Sequence, residues 1–158
     1  MENKVVILMG SGKDLDFCRE ISVVLEDLEV DYVLRVSSAH KTPRKVLKIL
    51  EEYEGQSVIY ITVAGRSNAL TGFVDANTVN PVIACPPYSP QFGGADIYSS
   101  LRVPSGIGSV VTIEPEGAAL AAAKILAMGD PELTERIRSF QQGKKEEVES
   151  ADESMDNF

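Results

Sequence analysis

The sequence predicts an α/β fold, a doubly wound three-layer sandwich on a five-stranded parallel sheet, with one more helix appended at the C-terminus. Three observations predict it. Short runs rich in aliphatic and β-branched residues alternate along the chain with stretches whose apolar residues recur at helical spacing. The strand-like runs end at turns rich in Gly, Ser or Pro, where a crossover connection begins. The first and third runs are almost continuously apolar, the pattern of strands covered on both faces.

The elements follow in order. Lys4–Met9 is the first strand, and Gly10-Ser11-Gly12-Lys13-Asp14 turns into a helix over Leu15–Leu28 with Phe17, Ile21, Val24, Leu25 and Leu28 on one face. Asp14 is placed either to cap that helix or to bind ligand hydroxyls. The second strand is Asp31–Val36. After the turn Ser37–Thr42 a helix is expected over 43–54, with Thr42 as its N-cap, Pro43 at its first position and Gly55 at its end.

Ser57–Ala64 is the third, central strand, followed by Gly65-Arg66-Ser67-Asn68 and a helix over Ala69–Ala76. The fourth strand, Val82–Cys85, stops at Pro86-Pro87, and the proline- and glycine-rich loop running to Gly94 has the length of a functional loop. A short helix is expected within Asp96–Leu101, then a turn at Pro104–Gly108 and a fifth strand over Ser109–Glu114. Gly117–Met128 is a helix so rich in alanine that it should pack closely on a neighbour.

From Asp130 onward the composition shifts to nine acids against four bases, carrying −5 of the net charge of −9. One helix is expected over 132–142, and the last dozen residues read as a frayed, solvated end. The expected organisation is therefore one domain over residues 1–158, with an α/β core over 1–129 and a C-terminal helix and acidic tail over 130–158.

Composition excludes several function classes. An acidic chain of pI about 4.6 lacks the basic surface that non-specific nucleic-acid binding requires. No run is long enough to span a membrane, and Met1-Glu-Asn-Lys4 leading into a strand has no signal-peptide character, so the expected location is cytoplasmic. Cys18 and Cys85 stand in unlike contexts and read as buried thiols. A single histidine without a cysteine cluster argues against a zinc or iron site.

The chemistry gathers at one turn. Between Tyr32 and Leu50 there are five basic residues and no acidic one. Lys41, Arg44 and Lys45 lie at a helix N-terminus, where the macrodipole already favours negative charge, so cations there make sense beside an anion such as phosphate. Ser37, Ser38 and Lys41 offer further donors, and His40, the only imidazole, sits among them. A strand order of 2-1-3-4-5 brings the turns at 10–14, 37–43 and 65–68 together at one sheet edge, with Arg66 suitably placed for an anion or carboxylate.

Taken together, Met9-Gly-Ser-Gly-Lys-Asp14, Ser38-Ala-His-Lys-Thr-Pro43, Val63-Ala-Gly-Arg-Ser-Asn68, Cys85-Pro-Pro87 and Ser99-Ser-Leu-Arg-Val-Pro-Ser-Gly106 resemble the PurE-type aminoimidazole ribonucleotide carboxylase/mutase family of purine biosynthesis. The resemblance spans about residues 4–128 and implies a flavodoxin-like sheet. It also implies a homo-octamer, or a tetramer, with active sites at subunit boundaries and small-molecule partners only: a ribonucleotide and carbon dioxide. Carried over by position, Ser11, Ser38 and Lys41 match phosphate-side contacts and Asp14 matches the carboxylate that holds the ribose hydroxyls. His40 matches the general acid/base, and Gly65, Arg66 and Ser67 match the loop beside the imidazole ring and carboxyl group.

Two departures matter. Lys41 replaces an arginine of many bacterial members, exchanging a bidentate grip for a point charge. The third loop, Ala64-Gly-Arg-Ser-Asn-Ala-Leu70, lacks the histidine of the Gly-Gly-Ala-Ala-His pattern in mutase-type members and resembles that of the direct carboxylases fused to a synthetase in animals. The implied reaction is direct carboxylation of 5-aminoimidazole ribonucleotide at C4, by a carbon–carbon carboxy-lyase without metal, biotin or ATP, and the resemblance implies no cofactor. The alternatives are mutase action on the N5-carboxy isomer and a non-catalytic nucleotide-binding module.

Overall fold

The computed structural model describes residues 4–155. Met1–Asn3, where the signal-peptide reading falls, and the last three residues of the acidic tail lie outside the described residues. Five parallel strands, β1 (Lys4–Met9), β2 (Asp31–Val36), β3 (Val58–Val63), β4 (Val82–Ala84) and β5 (Val110–Val111), form one sheet in the order β2-β1-β3-β4-β5. The predicted order is the one observed. This is the flavodoxin-like arrangement.

Alternation along the inner strands divides the core in two. Val5, Ile7 and Met9 of β1 join Ile59, Ile61 and Val63 of β3 beneath α1 (Leu15–Asp27) and α5 (Pro115–Leu126). Val6, Leu8, Val58 and Tyr60 face the other way, towards α2 (Pro43–Glu52) and α3 (Ala69–Asp75). Ile21 and Leu25 of α1 are fully buried, each gaining about 1.5–3 kcal/mol from leaving water. Across from them Ala118, Ala119, Ala122 and Ala123 are also fully buried. The close neighbour of the alanine-rich helix is therefore α1 of the same chain.

Two elements differ from expectation. The fifth strand shrinks from six residues to two, because its partner β4 runs into Pro86-Pro87, which have no N–H to give. After Val110 and Val111 pair with Ile83 and Ala84, a last bond runs from Thr112 N–H to the Ala84 carbonyl at 2.9 Å. The C-terminal helix, α6, extends over Pro131–Met155, so the end read as frayed is helical through Met155. Its residues are mostly strong helix formers with no internal proline, and Gln142 bonds Glu146 one turn on at 3.0 Å. Its first half is anchored, by buried Leu133 and Ile137, by Phe140 packed on the same core, by Arg136 Nε donating to the Leu28 carbonyl at 2.8 Å and by Lys144 Nζ 3.0 Å from Glu116 of α5.

Strand register positions the site. Met9 lies level with Val36 on one side and Val63 on the other, so three loops leave the same sheet edge side by side.

Candidate active site

The first loop begins with Gly10 N–H donating to the Val63 carbonyl at 2.9 Å, which ties the end of β1 to β3. A single 3₁₀ turn over Gly12–Asp14 follows, and the Ser11 hydroxyl accepts from Lys13 N–H at 3.3 Å. Asp14 stands at the N-cap position of α1, yet its side chain makes no capping bond. Burial raises its carboxyl above the ordinary carboxylate range, opposed by a backbone hydrogen bond at Ser11. Of the two roles open to Asp14, capping is not the one realised.

The second loop is held by its own hydroxyls. Ser37 N–H donates to the Met9 carbonyl at 3.0 Å, and the Thr42 hydroxyl accepts from Ser38 N–H at 2.9 Å. Lys41 N–H donates to Ser38 Oγ at 3.2 Å. Two expectations are corrected here. Ser37 is buried with its Oγ 2.9 Å from Thr42 Oγ1, so it is no donor to an anion. Thr42 holds the N-cap position of α2 but turns its hydroxyl back into the loop, where the Ser38 N–H needs an acceptor. His40 and Lys41 are left exposed at the tip.

The third loop is set by a distant segment. Arg66 adopts a left-handed backbone, φ 61°, with its N–H donating to Asp96 Oδ2 at 2.8 Å and its carbonyl 2.8 Å from Ser99 Oγ. Asn68 caps α3 by accepting from Thr71 N–H at 3.2 Å. Its Nδ2 donates to Thr71 Oγ1 at 2.8 Å and Ser100 Oγ at 3.0 Å, and Thr71 Oγ1 lies 2.8 Å from Thr62 Oγ1 inside the sheet. The Asn68 cap is readable as Asn before a helix, whereas partners some thirty residues on leave no local signal.

The three loops surround one cleft of about 610 Å³. Ser11, Asp14, Ser38, His40, Lys41, Gly65, Arg66 and Ser67 all line it. Sequence reasoning left out Lys13, and Pro87, Tyr88 and Ser89 of the proline-rich loop, which close a fourth side. The doublet Pro86-Pro87 at a strand end was the available signal. Gly94, φ 78°, lets the loop fold against the Tyr88 ring, since a Cβ there would come within 2.9 Å of it.

Lys13, Lys41 and Arg66 face a single carboxylate, Asp14, across the cleft, making it locally cationic in a chain of net charge −9. Cys18 and Cys85 lie in the core, with burial pushing both thiols up to about 12. Among the described residues, no helix is long and apolar enough to cross a membrane.

Comparisons with known proteins identify the family and the fold. Residues 4–147 match the family described as AIR carboxylase. The phosphoribosylaminoimidazole carboxylase of Archaeoglobus fulgidus is 55% identical over 152 residues, covering 96% of this chain and 84% of that protein. A bifunctional phosphoribosylaminoimidazole carboxylase/phosphoribosylaminoimidazole succinocarboxamide synthetase of Mus musculus is 43% identical over 138 residues, 86% of this chain but 32% of that protein. The crystal structure of Treponema denticola PurE superposes with a TM-score of 0.93 at 44% identity, covering 96% of this chain and 98% of that one. With the match running from the first described strand into the last helix, the chain belongs to the AIR carboxylase family.

Proposed function

We propose that this protein is a phosphoribosylaminoimidazole carboxylase that adds carbon dioxide directly to C4 of 5-aminoimidazole ribonucleotide, reversibly and without ATP, metal or biotin. The observation that carries the reading is the convergence on one cleft of a histidine, a hydroxyl- and cation-lined rim and one partly buried carboxylate. Ser11, Ser38 and Lys41 bind the phosphate. Asp14 accepts hydrogen bonds from the ribose hydroxyls, and Gly65, Arg66 and Ser67 border the imidazole ring.

The aminoimidazole ring is enamine-like. Its C4 attacks carbon dioxide, a carbon–carbon bond forms, and C4 becomes tetrahedral. The His40 imidazole takes the C4 proton, the ring regains aromaticity, and the new carboxylate rests against Arg66. In reverse, the same imidazolium protonates C4 and carbon dioxide departs. Holding the nucleotide in one pose supplies the remaining rate enhancement.

Direct carboxylation is favoured over mutase action by the third loop, which carries Arg66 and Asn68 but no imidazole. The chain also resembles a third of the murine bifunctional protein named above. Self-association belongs to the proposal as well. The alanine face of α5 is covered within the chain, but Tyr88, Tyr98, Leu101, Val110 and Ile113 are each exposed apolar side chains of the kind a second subunit covers.

Two parallel assays test the reaction, one with the free amine ribonucleotide at saturating carbon dioxide and one with its N5-carboxylated form. Direct carboxylation predicts fast product formation in the first. Fast conversion confined to the second would make the protein a mutase. Tight nucleotide binding without turnover in either would make it a binding module.

A further inference from the structure

Two non-glycine residues among those described have positive φ, Glu29 and Arg66. Glu29 follows the end of α1, where a left-handed residue commonly closes a helix. Arg66 closes nothing. It stands three residues past β3, in a conformation that L residues with a long side chain avoid, and it lines the cleft.

What holds it there is one short segment. The Arg66 N–H goes to the Asp96 carboxylate, and its carbonyl lies within reach of the Ser99 hydroxyl. That same hydroxyl accepts from Asn68 N–H at 3.0 Å and also lies 2.8 Å from the Asp96 carbonyl. Both backbone polar groups of Arg66 are thus gripped from residues 96–99. Neither Asp96 nor Ser99 lines the cleft. The sign of φ decides to which side of the chain Cβ departs, so this grip decides where the guanidinium is aimed.

We propose that Asp96 and Ser99 are positioning residues: they latch Arg66 in its left-handed conformation so that its side chain meets the carboxyl group being formed. The proposal rests on the carboxylase reading. It assigns the latch to the chemical step, because the phosphate grip belongs to other loops.

The test compares wild type, Asp96→Ala, Ser99→Ala, Asp96→Asn, Arg66→Ala and the double variant Asp96→Ala/Arg66→Ala. Steady-state kinetics with aminoimidazole ribonucleotide and carbon dioxide are measured beside amide hydrogen exchange at residues 65–68. Each single alanine variant at 96 and 99 should lose about tenfold or more in kcat with KM within about threefold, the mark of an interaction made in the transition state. Exchange at 65–68 should quicken about tenfold in the same proteins. Asp96→Asn, which keeps an oxygen facing the Arg66 N–H, should recover most of the kcat. In the Arg66→Ala background the loss of Asp96 should cost little more.

Additive losses in the double variant would overturn the proposal, as would an Asn variant no better than the Ala variant or wild-type exchange after truncation. Absence of turnover in the wild-type chain overturns the carboxylase reading and the latch's catalytic assignment with it. That failure is distinguishable from a failed latch, which shows as unchanged exchange in the alanine variants whatever the turnover.

Discussion

Replacing Asn68 with alanine should destabilise the fold by about 2–4 kcal/mol. The side chain is 6% exposed and makes three hydrogen bonds: it accepts from Thr71 N–H and donates to Thr71 Oγ1 and Ser100 Oγ. Losing the N-cap of α3 costs about 1 kcal/mol. Ser100, 2% exposed, loses its partner, and a stranded buried hydroxyl costs about 1–3 kcal/mol. Thr71 Oγ1 keeps Thr62 as partner and adds little. For a chain of this length the sum corresponds to a fall in Tm of about 5–15 °C. The assay is thermal and urea unfolding of wild type, Asn68→Ala and Asn77→Ala at one fixed protein concentration, since subunit association also moves Tm. Asn77 is an exposed asparagine whose Nδ2 bonds the Phe73 carbonyl, so it controls for loss of the residue type. Equal effects from the two substitutions, or a loss below about 0.5 kcal/mol at Asn68, would refute the reasoning by showing that the network closes over the gap.

His40→Asn should bind the ribonucleotide nearly as wild type while turning over at least about a hundredfold more slowly, measured by calorimetry and rate assay together. Lys41→Ala should raise KM for the nucleotide while leaving affinity for the phosphate-free nucleoside unchanged; equal losses for both would remove Lys41 from the phosphate site. Asp14→Asn should raise Tm at neutral pH but weaken ribose binding. The Asp14 carboxyl is raised in the folded chain, so its contribution is fully present below the unfolded value near 3.8 and is lost as pH rises through the folded value. The Tm gain of Asp14→Asn over wild type should therefore fade on acidification towards pH 4, and a pH-independent difference would deny the buried-carboxylate origin.

The sheet order and the three converging loops were legible because they depend on local patterns: apolar runs, helical periodicity and where each run stops. All eight candidate residues lie around one cleft for the same reason, since they occupy strand ends whose side-by-side register follows from the topology. What was not legible depends on partners far along the chain. Nothing near Arg66 announces that Asp96 and Ser99 grip it, and nothing near Thr42 shows that its hydroxyl serves Ser38 instead of α2. The shortening of β5 is set by prolines after β4, and the full length of α6 by helix propensity in a stretch whose polarity reads as disorder.

The placement of β1 between β2 and β3 also sets an order of events during synthesis. Every strand pairing that frames the three loops is complete within the first 63 residues, so the ligand-facing edge can assemble on a nascent chain. The opposite face of that nascent sheet tells another story. The buried flank of α1, with Ile21 and Leu25, has its covering helix only from Pro115 onward. A ribosome paused between those points presents a half-made cleft whose back is bare hydrocarbon. Chains truncated between Ser89 and Pro115 should be chaperone clients and aggregate readily, even though every residue lining the cleft has already been translated.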